Sequence, residues 1–158
     1  MIQGHGLRER QLRGPSAPEL HPEQRVLRIR RYRCTACTAI ITVVPRDILT
    51  RRLYSGPAIA WALALFGVLR LSTVAIRQRV SPFGVVGATA FTRWKTLLRW
   101  VTAVATGRLF TCVRPPPQDW SARQVAERAA ATLAAHALPS PDPPPLSTQA
   151  FHGAALAR

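Results

Sequence analysis

Acidic side chains are scarce in this chain. Seven carboxylates stand against 22 Lys and Arg in 158 residues, leaving a formal net charge of +15. They are Glu9, Glu19, Glu23, Asp47, Asp119, Glu127 and Asp142, and none falls between Tyr54 and Arg114. That span carries Arg70, Arg77, Arg79, Arg93, Lys95, Arg99, Arg108 and Arg114. A face of one sign repels itself unless a polyanion neutralises it, which favours phosphate backbones over acidic small molecules. The shortage also argues against nuclease or transposition chemistry, where carboxylates converge on divalent metal. No glycine-rich phosphate loop occurs. A Ser-His-Asp or Cys-His arrangement would have to recruit His136 or His152 from the far end of the chain. The expectation is a protein without catalytic residues.

Long hydrophobic runs are missing too. The N-terminus has cations but no apolar stretch after them, so it does not read as a signal peptide. The uncharged run Pro57–Leu69 lies between Arg51, Arg52 and Arg70. As a helix it spans roughly 20 Å at ~1.5 Å per residue, short of the roughly 30 Å hydrocarbon core. It reads as a buried core helix, and no membrane association is expected. Cysteine is limited to Cys34, Cys37 and Cys112. A lone Cys-x-x-Cys pair suits a reducing compartment and a metal or redox motif better than a disulfide framework. The localisation expected is cytoplasmic.

Residues 1–33 are polar and rich in arginine. Alternation becomes regular over Arg25–Arg33, which predicts a strand with a charged face. After Cys34 and Cys37 comes the β-branched run Thr38–Val44, a second strand ended by Pro45. A tight turn between two strands lets both thiolates point one way, as in a zinc knuckle. Structural zinc needs four ligands; His5 and His21 are the candidates to complete the set, and the alternative is a half-site of two reduced thiols.

Ser55 is an N-cap with Pro57 in the first turn, opening a helix through Arg70 that is apolar nearly all round and therefore central. Ser72 caps a second, short helix to Val80, with Arg77 and Arg79 outward. Ser81–Gly84 breaks it. A third helix is expected from about Thr89 to Ala105, stopped by Gly107. Phe91, Trp94, Leu97, Leu98, Val101, Val104 and Ala105 form its apolar stripe. Thr92, Arg93, Lys95, Thr96 and Arg99 lie opposite, with Trp100 at the border. Arg114–Pro117 reads as a stiff spacer. Ser121 and Gln124 form a capping box for an alanine-rich helix to about Leu138. Residues 139–158 read as a mobile or loosely docked tail.

Three strings, YRCTACTAIITVVP from Tyr32, RRLYSGPAIAWALAL from Arg51 and RWKTLLRWV from Arg93, resemble uncharacterised bacterial proteins that join a zinc ribbon to a helix-turn-helix. Those proteins are often grouped with transposase-like or mobile-element proteins. HGLRERQLRG, His5–Gly14, resembles the first hairpin of that ribbon. The resemblance implies DNA binding linked to mobile elements, with no catalytic residues to carry over. It also implies a Cys-x-x-Cys pair upstream of His5; its absence suggests a truncated or alternatively started chain.

The fold expected is mainly α: a small N-terminal β-hairpin (a partial zinc ribbon, 1–48), then a three-helix, helix-turn-helix-like module (54–107). A proline-rich linker (108–120), an accessory helix (121–138) and the tail follow. The function expected is non-catalytic binding of duplex DNA. Arg77 and Arg79 would contact phosphate, and Thr92, Arg93, Lys95, Thr96 and Arg99 would form the reading face. Charge alone does not separate DNA from RNA. The alternative is a protein-interaction subunit of a recombinase or similar machinery, or self-association, using the apolar helix Pro57–Leu69 and the alanine-rich helix.

Overall fold

A computed structural model describes residues 1–157, Thr89 through its backbone only; Arg158 lies outside the described residues. The order of elements is β1 (Ile2–Gly14), β2 (Glu23–Cys34), β3 (Ile40–Val43), α1 (Gly56–Gly67), α2 (Thr73–Val80), α3 (Lys95–Ala105), α4 (Ala122–Ala134) and α5 (Leu146–Leu156). With 38% of residues helical and 19% in strands, the fold is α/β with a sizeable sheet. The expectation of a mainly α protein with a small hairpin is therefore corrected. The polar region before Arg25, matched over His5–Gly14 to a ribbon hairpin, is instead the single long strand β1, which pairs antiparallel with β2 from Ile2↔Cys34 to Gly14↔Glu23. β3 adds to the other side of β2, from Arg30↔Val43 to Arg33↔Ile40.

The sheet has one covered face and one open face. Leu12 and Ile29 are buried under Ile48, with Leu27 and Val44 half-buried beside them. This small cluster sits beneath the loop that follows β3. Arg10 crosses the same face and donates to the carbonyls of Leu49 and Arg52, the latter at 2.8 Å. The opposite face exposes Leu7, Val26, Ile41 and Val43.

Sheet and helices meet at the Gly14 end of β1. Arg13 N–H donates to Leu53 O at 2.7 Å, and Ser55 N–H donates to Arg13 O at 3.2 Å. Gly14 sits at φ +114, and a Cβ there would meet the Ala58 methyl of α1. Glycine is the residue that allows both that backbone and that approach.

The helical body is built around α1, every residue of which is buried. Ser55 caps it, accepting from Ala58 N–H at 3.1 Å. Helices α4 and α5 close over it with small residues: Ala126, Ala129, Ala130, Ala150 and Ala154 are all buried. A Cβ on Gly67 would strike the Glu127 backbone, and one on Gly153 would strike Leu133 O. Backbones this close gain dispersion contacts over their length, which substitutes for bulky side chains. The segment read as a tail therefore holds a helix with Phe151 buried in the core. The capping box is formed, with Gln124 N–H donating to Ser121 Oγ and Ser121 N–H to Gln124 Oε1 at 2.9 Å.

α2 and α3 do not form a compact helix-turn-helix. Ser72 caps α2 as expected, accepting from Ala75 N–H at 3.2 Å. The third helix begins at Lys95, not near Thr89; Ser81–Trp94 is a connection that includes a 3-10 turn at Gly87–Phe91. Phe91, placed on the apolar stripe by its spacing, is 84% exposed. Spacing counts angle only along a continuous helix, and the break before Lys95 resets it. No helix among the described residues is long and apolar enough to cross a membrane.

Candidate nucleic-acid interface

α3 is fixed by aromatics. Trp94, Trp100 and Tyr54 pack edge-to-face with centroids 5.0 to 6.0 Å apart. The Tyr54 hydroxyl donates to Ser81 Oγ at 3.3 Å, and Trp94 N–H donates to Thr73 Oγ1 at 3.3 Å. Trp100 is thus a core group, not a border one. With Leu97, Trp100, Val101 and Val104 turned inward, the helix has one rotation left open to it. That rotation exposes Lys95, Arg99 and Thr102.

Lys95, Leu98, Arg99 and Thr102 line one shallow depression. Thr96 is half-buried beside it. Thr92 and Arg93 are exposed on the connection that leads into the helix, ahead of its first turn. Arg77 and Arg79 go elsewhere. Arg77 lines a cavity with His21, Phe83 and Ala90, and Arg79 lines another with Glu19 and Leu20. The expected site thus divides. Lys95, Thr96 and Arg99 share α3, Arg93 and Thr92 flank it, and the two α2 arginines face the loop between β1 and β2.

The cationic side chains fall into two groups. Some are structural: Arg10 bonds two carbonyls, Arg13 lies 4.8 Å from the Phe83 ring centroid, and Arg123 lies 4.5 Å from that of Phe66. Others, including Arg8, Arg28, Arg30, Arg93, Lys95 and Arg99, are exposed. Among the described residues a single ion pair occurs, Arg25 to Glu23 at 3.2 Å. The positive charge is therefore carried to the surface with little internal neutralisation.

Cys34 ends β2 and Cys37 lies in the turn before β3, so the pair does sit at a hairpin tip. Cys34 is held below the usual thiol range by the N–H groups of Cys37 and Ala36 and by the Cys37 thiol. Cys112 is pushed the other way by burial. No group of three or more His, Cys, Asp or Glu that could hold a metal occurs among the described residues. His21 lies in the connection between β1 and β2, at the sheet end opposite Cys34, and His5 lies where the β1 register slips between Gly4 and Leu7. One chain offers two thiolates of the four ligands a closed zinc site needs. The described residues do not fit a complete site.

The charged strand face expected over Arg25–Arg33 is present on β2. Arg8, opposite Ile29, lies on the other face, while Arg28 and Arg30 are exposed on β2 with Tyr32 half-buried near them. Their period-two spacing was legible, but not the partner strand that turns it into a three-stranded face. No family model, curated protein or solved structure matches the chain.

Proposed function

We propose that the protein binds duplex DNA without catalysis, through the exposed edge of α3, with Lys95 and Arg99 at its centre and Arg93 and Thr92 on its approach. The observation that supports this most is the unpaired charge. A chain of net charge +15 has one ion pair among its described residues, and α3 turns two cations and Thr102 outward. A solvated face normally mixes both signs; this one does not. An aromatic cluster fixes the helix that carries the cations, so little backbone entropy remains to be lost there on binding. The link to transposition or regulation rests on the resemblance of the short strings given above; binding to DNA would put the protein at the nucleoid.

The two helices expected to serve a protein-interaction subunit are engaged within the fold, since α1 is buried throughout and the apolar side of α4 packs on it.

Fluorescence anisotropy with a labelled duplex across a salt series tests the proposal. Affinity should fall steeply with salt, the logarithmic slope being about −0.9 per phosphate neutralised. Lys95→Glu with Arg99→Glu should weaken binding and flatten that slope by roughly two. Binding that is absent at low salt, or indifferent to the double substitution, counts against it. A matched RNA duplex in the same titration separates the two nucleic acids.

A further inference from the structure

The open face of the sheet has a composition that duplex binding through α3 does not use. Residues directly opposite in an antiparallel ladder share a face. Leu7 pairs with Arg30, Glu9 with Arg28 and Gln11 with Val26; on the other side Arg30 pairs with Val43 and Tyr32 with Ile41. Arg28, Arg30 and Tyr32 therefore lie on one face with Leu7, Val26, Ile41 and Val43. Leu7, Val26, Ile41 and Val43 are 44 to 56% exposed. The opposite face is the one that buries Leu12 and Ile29, so this one is left uncovered by the chain's own loops.

Exposed aliphatic groups on a sheet call for an apolar occupant, and the two arginines call for an anionic one. Glu9 is the single acid on the face. A second copy of the chain would bring a like charge of +15 against it and be repelled. A duplex presents phosphates but keeps its base faces stacked. An unpaired strand presents both, because its bases are free to lie on aromatic and aliphatic side chains while cations follow its backbone. From Val26 to Tyr32 the face runs roughly 20 Å at ~3.4 Å per residue, room for several nucleotides.

We propose that this face is a second site, one for unpaired nucleic acid, with Tyr32 as the stacking group and Arg28 and Arg30 on the backbone. It rests on the proposed function only in taking the protein to act on nucleic acid, and it gives α3 and the sheet different substrates. A protein that meets DNA where the strands are separated would use both.

The test is anisotropy of a labelled short oligothymidylate and a labelled duplex, measured in parallel on the full chain. Tyr32→Ala should weaken oligothymidylate binding about tenfold, since one base–aromatic stack is lost, while Tyr32→Phe keeps it. Arg28→Gln with Arg30→Gln should weaken it and reduce its salt slope. Lys95→Glu with Arg99→Glu should leave it within about twofold and act on the duplex. If the duplex binds and oligothymidylate does not, or if Tyr32→Ala and the arginine pair leave oligothymidylate binding unchanged, the sheet site is overturned and the α3 reading stands. If oligothymidylate binds as inferred and the duplex does not, the α3 reading falls alone. Circular dichroism of each variant checks its fold, and the arginine pair, being exposed, keeps the test open should Tyr32→Ala unfold.

Discussion

At the scale of single residues, two contacts govern what the chain tolerates. Gly153 is the point where α5 meets α4, and any Cβ there runs into the Leu133 carbonyl. Gly153→Ala should destabilise the protein by about 1–3 kcal/mol, because the helices must move apart. Gly84, around which an added Cβ finds open space, is the control: Gly84→Ala should leave the urea midpoint where it was. The cysteines give a second outcome. Thiolate, not thiol, reacts with iodoacetamide. Cys34 ionises below the usual thiol range because N–H groups stabilise its anion; Cys112 ionises above it because burial disfavours the anion. As pH is raised, mass spectrometry should therefore find Cys34 carboxamidomethylated before Cys112. The reverse order would mean that neither the hairpin turn nor the burial of Cys112 holds in solution.

At the scale of elements, the end of α1 shows how a helix can be finished by a neighbour. Its last turn carries no cation of its own. Arg123, from the first turn of α4, supplies one, donating to Phe66 O at 2.6 Å and to Leu71 O at 3.4 Å while lying over the Phe66 ring. A cation at a helix C-terminus opposes the dipole and satisfies its orphan carbonyls. Arg123→Ala should cost about 1–3 kcal/mol, the range of a charge-assisted hydrogen bond, and Arg123→Lys should recover only part, lacking the planar fork. Urea unfolding measures both. The elements also show what was readable beforehand. α1, α2 and α4 were legible because Ser55, Ser72 and Ser121 mark their starts and because α1 is apolar all round. β1 was legible only through the resemblance of His5–Gly14 to a ribbon hairpin, since its covered face includes Arg8 and Arg10 and so hides the alternation. α5 was missed because it packs through Gly153 and alanines, by close approach instead of a bulky stripe. The candidate site was legible as charge, and of the five residues expected on one helix face, Lys95, Thr96 and Arg99 lie on α3 while Thr92 and Arg93 precede it. Its geometry was not, because Phe91 and Trp94 keep helical spacing across a break that only the aromatic packing of Trp94 on Tyr54 and Trp100 explains.

At the scale of the whole molecule, the net charge acts on stability and on binding with opposite signs. Unneutralised cations repel one another in the compact state. Screening relieves that repulsion as the Debye length falls from ~30 Å at 0.01 M salt to ~8 Å at 0.15 M. The melting temperature of the free protein should therefore rise with sodium chloride over this range. A bound polyanion relieves the same repulsion directly, and a ligand that binds only the folded state at one hundred times its dissociation constant adds about 2.7 kcal/mol. That gain should be largest at low salt and shrink as counterion release weakens binding. Thermal scans with and without duplex should thus converge as salt is raised, the free curve climbing and the bound one holding level or falling. A free protein whose melting point ignores salt would mean that the arginines are balanced within the fold. A duplex that adds nothing at low salt would mean that the exposed edge of α3 meets water and nothing else.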